Sequence, residues 1–160
     1  GNTVLVDTNA VLSAAGAVTV AALSELHPKM IASSSSGGLF AGGSSGETIL
    51  TDYSTTVTVR GTVTAGTTAS IESHTAVYAF GQATADVGGF GVDATTRLLV
   101  AIGTGDGSWV PGSAAVALTQ TTLGTGAAVT GRSVAVGSYV DALQAAGTSR
   151  TRATAFGANS

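Results

Sequence analysis

Residues 56–66 read Thr56-Val57-Thr58-Val59-Arg60-Gly61-Thr62-Val63-Thr64-Ala65-Gly66, and the fold turns on them. Polar and apolar residues alternate on both sides of Arg60-Gly61. A period of two belongs to a strand with one buried face. Thr and Val are the β-branched residues that suit a pleated surface. Gly61 and Gly66 punctuate the two runs, so the stretch reads as short strands separated by tight corners. Working outward, the alternation recurs at Val18-Thr19-Val20, Ala69-Ser70-Ile71 and Val116-Ala117-Leu118. Glycine pairs at Gly37-Gly38, Gly42-Gly43 and Gly88-Gly89, with Gly103-Thr104-Gly105, separate the runs. Helix candidates are confined to residues 14–26 and 141–146, and the first contains Val18-Thr19-Val20, which favours a strand.

These runs repeat. Ala17-Val18-Thr19-Val20, Thr68-Ala69-Ser70-Ile71 and Ala115-Val116-Ala117-Leu118 each follow a glycine, and Val20, Ile71 and Leu118 are 51 and 47 residues apart. Further on, Leu39, Phe90 and Val136 are 51 and 46 apart. Upstream, Val4-Leu5-Val6 resembles Val57-Thr58-Val59. The spacing predicts a unit of 46–51 residues divided into two turns of 19–28 residues. The fold this implies is all-β: a parallel β-solenoid of about six or seven coils over residues 1–160, a single segment of a longer array or fibre. Val18, Val20, Leu39, Val57, Val59, Ile71, Phe90, Val116, Leu118 and Val136 are the expected inward columns. Glu25-Leu26-His27-Pro28-Lys29-Met30 holds the only Lys and the only Met, so residues 25–36 read as a protruding insertion.

Composition bounds the function. Ala, Gly, Ser and Thr make up more than half of the 160 residues, while charged residues are 9%, against about 25% in an ordinary domain. The apolar fraction of 44% and the net charge of −3 argue for a folded chain rather than a solvated coil. Six basic residues against nine acidic leave no electrostatic footprint for nucleic acid. No apolar run approaches the ~18 residues of a membrane helix. No cysteine is present, which excludes disulfides and thiolate metal sites. Without a start Met or a signal peptide, the chain reads as a mature or excised piece. Exposed strand edges are normally blunted by Lys, Pro or charge, and this sequence has few of these, which points to self-association, end to end or lateral.

The runs at residues 56–66 and Asp86-Val87-Gly88-Gly89-Phe90-Gly91-Val92-Asp93-Ala94 resemble the degenerate Thr/Ala/Gly/Val repeats of giant secreted bacterial exoproteins. Filamentous-haemagglutinin-like adhesins and autotransporter passenger regions are the best-known members. The resemblance implies a right-handed parallel β-helix at the cell surface or outside the cell, serving adhesion, biofilm or filament formation, with no catalytic pattern and no cofactor. The competing reading is a compact antiparallel β-sandwich, a pilin-like or shell subunit polymerising by strand exchange. A glycan- or ice-binding face would need a regular Thr array, and the Thr spacing here is irregular.

Candidate chemistry is sparse. His27 and His74 lie 47 residues apart, near one repeat, so they could line one face, but a zinc site needs three or four ligands. Glu72-Ser73-His74 does not make a triad, because neighbours in a strand point to opposite faces. Gly103-Thr104-Gly105-Asp106-Gly107-Ser108 resembles half a calcium-binding turn but occurs once, so a plain tight turn is the simpler reading. Ser33-Ser34-Ser35-Ser36-Gly37-Gly38 reads as an exposed loop. Trp109, His27 and Lys29 are the candidate interface residues. No enzyme activity, cofactor or metal is expected.

Overall fold

The structure, a computed structural model, describes residues 1–102 and 117–155. Strands occupy 85% of what is described, with no helix and no closed barrel. The order is β1 (Asn2–Val6), β2 (Val11–Ala14), β3 (Val18–Leu26), β4 (Lys29–Thr51), β5 (Tyr53–Val59), β6 (Thr62–Ala65), β7 (Thr68–Ile102), β8 (Ala117–Leu123), β9 (Ala128–Thr130) and β10 (Ser133–Ala155). Three sheets form, β1-β5-β8, β2-β6-β9 and β3-β7-β10, with β4 also paired to β7. Every ladder is parallel. The chain therefore lies in three layers: β1 to β4, β5 to β7, and β8 to β10, with the second in the middle. No antiparallel ladder occurs among the described residues, which removes the hairpin-built sandwich.

Register fixes the repeat. Asn2 lies opposite Thr55, 53 residues on, and from Val11 to Thr51 the offset is 51. Between the second and third layers it runs from 64 (Tyr53 and Ala117) to 66 (Ala76 and Ala142). Corner lengths explain the first change. Residues 7–10 join β1 to β2, whereas only Arg60-Gly61 join β5 to β6. The longer corner is closed by a hydrogen bond from Ala10 N to Asp7 O (3.0 Å), with Asn9 at φ 69°, a conformation that Asn tolerates better than most residues. No strands pair at a spacing of 19–28 among the described residues. The 51-residue unit is thus one layer rather than two coils, and three layers stand where six or seven coils were expected.

The alternation read from the sequence sets the core. Tyr53, Thr55, Val57 and Val59 face inward from β5, Val63 and Ala65 from β6, and Ala69 and Ile71 from β7. Between the layers, Val4 lies over Val57 and Val6 over Val59, and Val20, Ile71 and Val136 form one file. Hydroxyls fill part of the interior. Thr119 Oγ1 donates to Thr75 Oγ1 (2.9 Å), which donates to Thr55 Oγ1 (2.8 Å), joining the first and third sheets across the core. Ser73 pairs with Thr121 (2.9 Å), and Thr121 donates to Gly137 O (2.6 Å). Buried polar groups are as a rule satisfied, and these hydroxyls pair with one another inside, whereas Ser34 Oγ, Ser45 Oγ and Thr51 Oγ1 are buried with no hydrogen-bond partner.

Beyond Val77 the strands lengthen and double back. The position a Cβ on Gly81 would take lies 2.6 Å from Leu98 Cδ1, 2.9 Å from Val100 Cγ2 and 3.2 Å from Ile49 Cδ1. Ser36 Oγ donates to Gly42 O (2.9 Å), which closes the same return in the first layer. The bends fall at the glycine pairs around 37–43 and 88–91; a Cβ would clash with the adjacent layer at Gly43 (Val87), Gly89 (Gly38 O) and Gly91 (Phe40), whereas Gly37, Gly38 and Gly42 have room for one.

Several expectations change. Leu39 and Phe90 sit on these bends, 68% and 62% exposed, and are not inward columns. Leu118 faces Ser54 on the outward side of the first sheet, so the residue that completes the Val20–Ile71 file is Val136. Residues 25–36 do not protrude: Leu26 pairs with Val77 and Lys29 with Phe80, at the same offset of 51, so nothing is inserted. Ser33 to Ser36 are strand residues opposite Thr84 to Val87, not a loop. Both helix candidates are strands, because ladder pairing and burial override the weak helical preference of Ala.

Candidate functional site

The chemistry-bearing side chains gather on the outward face of the β3-β7-β10 sheet. Odd-numbered residues of β7 from Ala69 to Gly89 are buried, so Ser70, Glu72, His74 and Tyr78 point out. Register places Leu23 of β3 below His74 and Tyr139 of β10 above it. The His74 and Tyr139 rings stack with centroids 4.7 Å apart, and His27 stacks on Tyr78 at 4.9 Å, close to the spacing of adjacent strands. Both histidines therefore do line one face, each stacked on a tyrosine one layer above.

His74 is held from two sides. Its Nδ1 lies 3.1 Å from Asp141 Oδ2 and 3.3 Å from Oδ1, and its Nε2 lies 3.2 Å from Glu72 Oε2. Glu72 also accepts a short hydrogen bond from Ser70 Oγ. Desolvation pulls the His74 pKa down, but the hydrogen bonds to Glu72 and Asp141 and their charges together outweigh it and hold it above its ordinary value. The Ser70 hydroxyl and then His74 hold the Glu72 carboxyl below its ordinary value. In the lower layer, His27 Nε2 bonds Glu25 Oε1 at 2.8 Å in an exposed setting. Between the two groups lies a notch of about 250 Å³ lined by Leu23, Ser24, Glu25, His74, Ala76 and Asp141.

This arrangement does not activate a nucleophile. Ser73 faces the interior and pairs with Thr121. The proton of Ser70 goes to Glu72, and both nitrogens of His74 are taken by carboxylates. Among the described residues no group of three or more His, Asp or Glu is placed to hold a metal ion.

Of the residues singled out from the sequence, Val20, Val57, Val59 and Ile71 are buried and Val18 is half-buried. Val136 is 44% exposed, because it belongs to the outermost layer described. His27 lies on the outward face with Glu25 and Tyr78, and Lys29 is exposed opposite Phe80. Val116, Trp109 and the Gly103–Ser108 motif lie outside the described residues. The sequence reading missed the grouping of Glu72, His74, Tyr139 and Asp141. Its signal was the alternation Ser70, Glu72, His74, but the partner strand could not be placed with the third repeat misaligned. No family model, curated protein or solved structure matches the chain.

Proposed function

We propose that the chain is a segment of parallel β-solenoid whose work is mechanical. It makes a stiff rod or filament outside the cell or on its surface, as an element of adhesion, biofilm or scaffolding. The observation that carries this reading is that every ladder through the three layers is parallel, with one apolar file, Val20–Ile71–Val136, running through them. Among the described residues, each outer layer offers strand edges with no strand paired beyond them, and few charges guard those edges. At the third-layer end, Leu123, Val134 and Val136 are each about half exposed, and a further layer would cover them. The natural continuation is another layer in the same register, supplied by a longer array or by a second copy.

Imaging and diffraction of the purified chain test this. The expected result is a fibre that lengthens with concentration and carries a repeat of about 4.8 Å along its axis. Discrete particles of single-chain mass at every concentration would overturn the filament reading.

A further inference from the structure

Asp141 is the one residue of β10 that the ladder skips: Val140 faces Thr75 and Ala142 faces Ala76. Such a bulge adds a residue to one strand and re-aims its side chain. Here the re-aimed carboxylate meets His74 Nδ1, while Glu72 meets Nε2. A neutral imidazole has one N–H and an imidazolium has two. Both carboxylates can therefore accept from the ring together only when it is protonated.

We propose that protonation of His74 locks β10, and with it the third layer, onto the second, so that the grip of this layer is tight in mildly acidic solution and relaxes in alkaline solution. The charged and titratable groups facing His74 come from every strand packed against it. Glu72 lies on β7 itself, Asp141 and Tyr139 on β10, and Glu25 of β3 lines the same notch. With its proton, His74 is a cation between two carboxylates, Asp141 and Glu72, while Glu25 is bonded to His27. Without it, the same two carboxylates flank a neutral ring and at most one keeps a hydrogen bond from it. The single irregularity of the longest ladder in the third layer sits where this charge is exchanged. Tyr139 adds a packing element: its ring stacks on the imidazole and lies over Gly137, where a Cβ would meet the phenol oxygen.

The test is amide hydrogen exchange on the intact chain, expressed as protection factors at pH 5.5 and 8.5. Protection of amides 137–145 should fall by about threefold to tenfold between the two, the range of a partly exposed charge-assisted hydrogen bond, while β1 and β5 change little. In His74→Gln the step should vanish. Asp141→Asn keeps the imidazole and removes the bulged carboxylate, so it gives the same answer should His74→Gln fold poorly. His27→Gln removes the other histidine and should leave the step intact. A wild-type chain whose 137–145 protection does not change with pH, or a step that survives in His74→Gln or Asp141→Asn, overturns the proposal.

Discussion

The file Val20–Ile71–Val136 can be weighed one position at a time. Ile71 is fully buried, with a valine above and below it. Replacing it by Ala removes three carbons, which at about 0.8 kcal/mol each is about 2.4 kcal/mol of lost burial. The walls on both sides are fixed by ladder pairing and cannot collapse into the space, so a cavity term brings the expected loss to about 3–4 kcal/mol. Val136→Ala removes two carbons from a side chain that is 44% exposed. Half-burial leaves about 1 kcal/mol, and no closed cavity forms. Urea unfolding followed by circular dichroism gives both numbers, provided the slope of the transition is unchanged. Equal losses at dilute concentration would refute the file and the open third layer. A Val136→Ala loss that grows with protein concentration, toward about 2 kcal/mol, is the signature of a further layer settling on top.

Three further outcomes follow from named contacts. Thr75→Val keeps the shape but strands the hydroxyls of Thr55 and Thr119, so it should cost about 1–3 kcal/mol; the triple change of all three to Val should be far closer to neutral in the same unfolding assay. Gly66→Ala would place a Cβ 1.9 Å from Ala15 O, whereas nothing lies within 4 Å at Gly16. The first should therefore lower stability by at least about 2 kcal/mol and Gly16→Ala by less than about 0.5 kcal/mol, measured as shifts in urea midpoint. Because the His74 pKa is raised from 6.5, its contribution is complete below about pH 6.5 and is lost as pH climbs through the raised value. Because the Glu72 pKa is lowered from 4.5, its share is complete above about pH 4.5 and is lost as pH falls through the lowered value. Thermal midpoints should peak between these limits and lose the alkaline fall in His74→Gln.

Much of the fold was legible because period-two alternation survives in any layer. The Val4-Leu5-Val6 and Val57-Thr58-Val59 runs are ladder partners, and the 51-residue offset of Val20 and Ile71 is the true register. The third copy was misplaced for a physical reason. The second offset is 64–66 rather than 51, and a sequence rich in four small residues offers several equally good alignments. Leu39 and Phe90 looked like core because they are large and apolar, but the adjoining glycines mark bends whose outer side faces solvent. The histidine group was hidden more deeply, since Asp141 reaches His74 only through a bulge, and no periodic pattern announces an extra residue.

Parallel ladders make the stack directional. In every layer the strands run the same way, so the edge offered by β8, β9 and β10 is chemically unlike the edge offered by β1, β2 and β3. Extending such a ladder joins head to tail, and a contact of that kind has no intrinsic stop. A self-complementary pair that hides like against like cannot be built this way. In the filament proposed above, elongation along this axis would be vectorial, with two inequivalent tips.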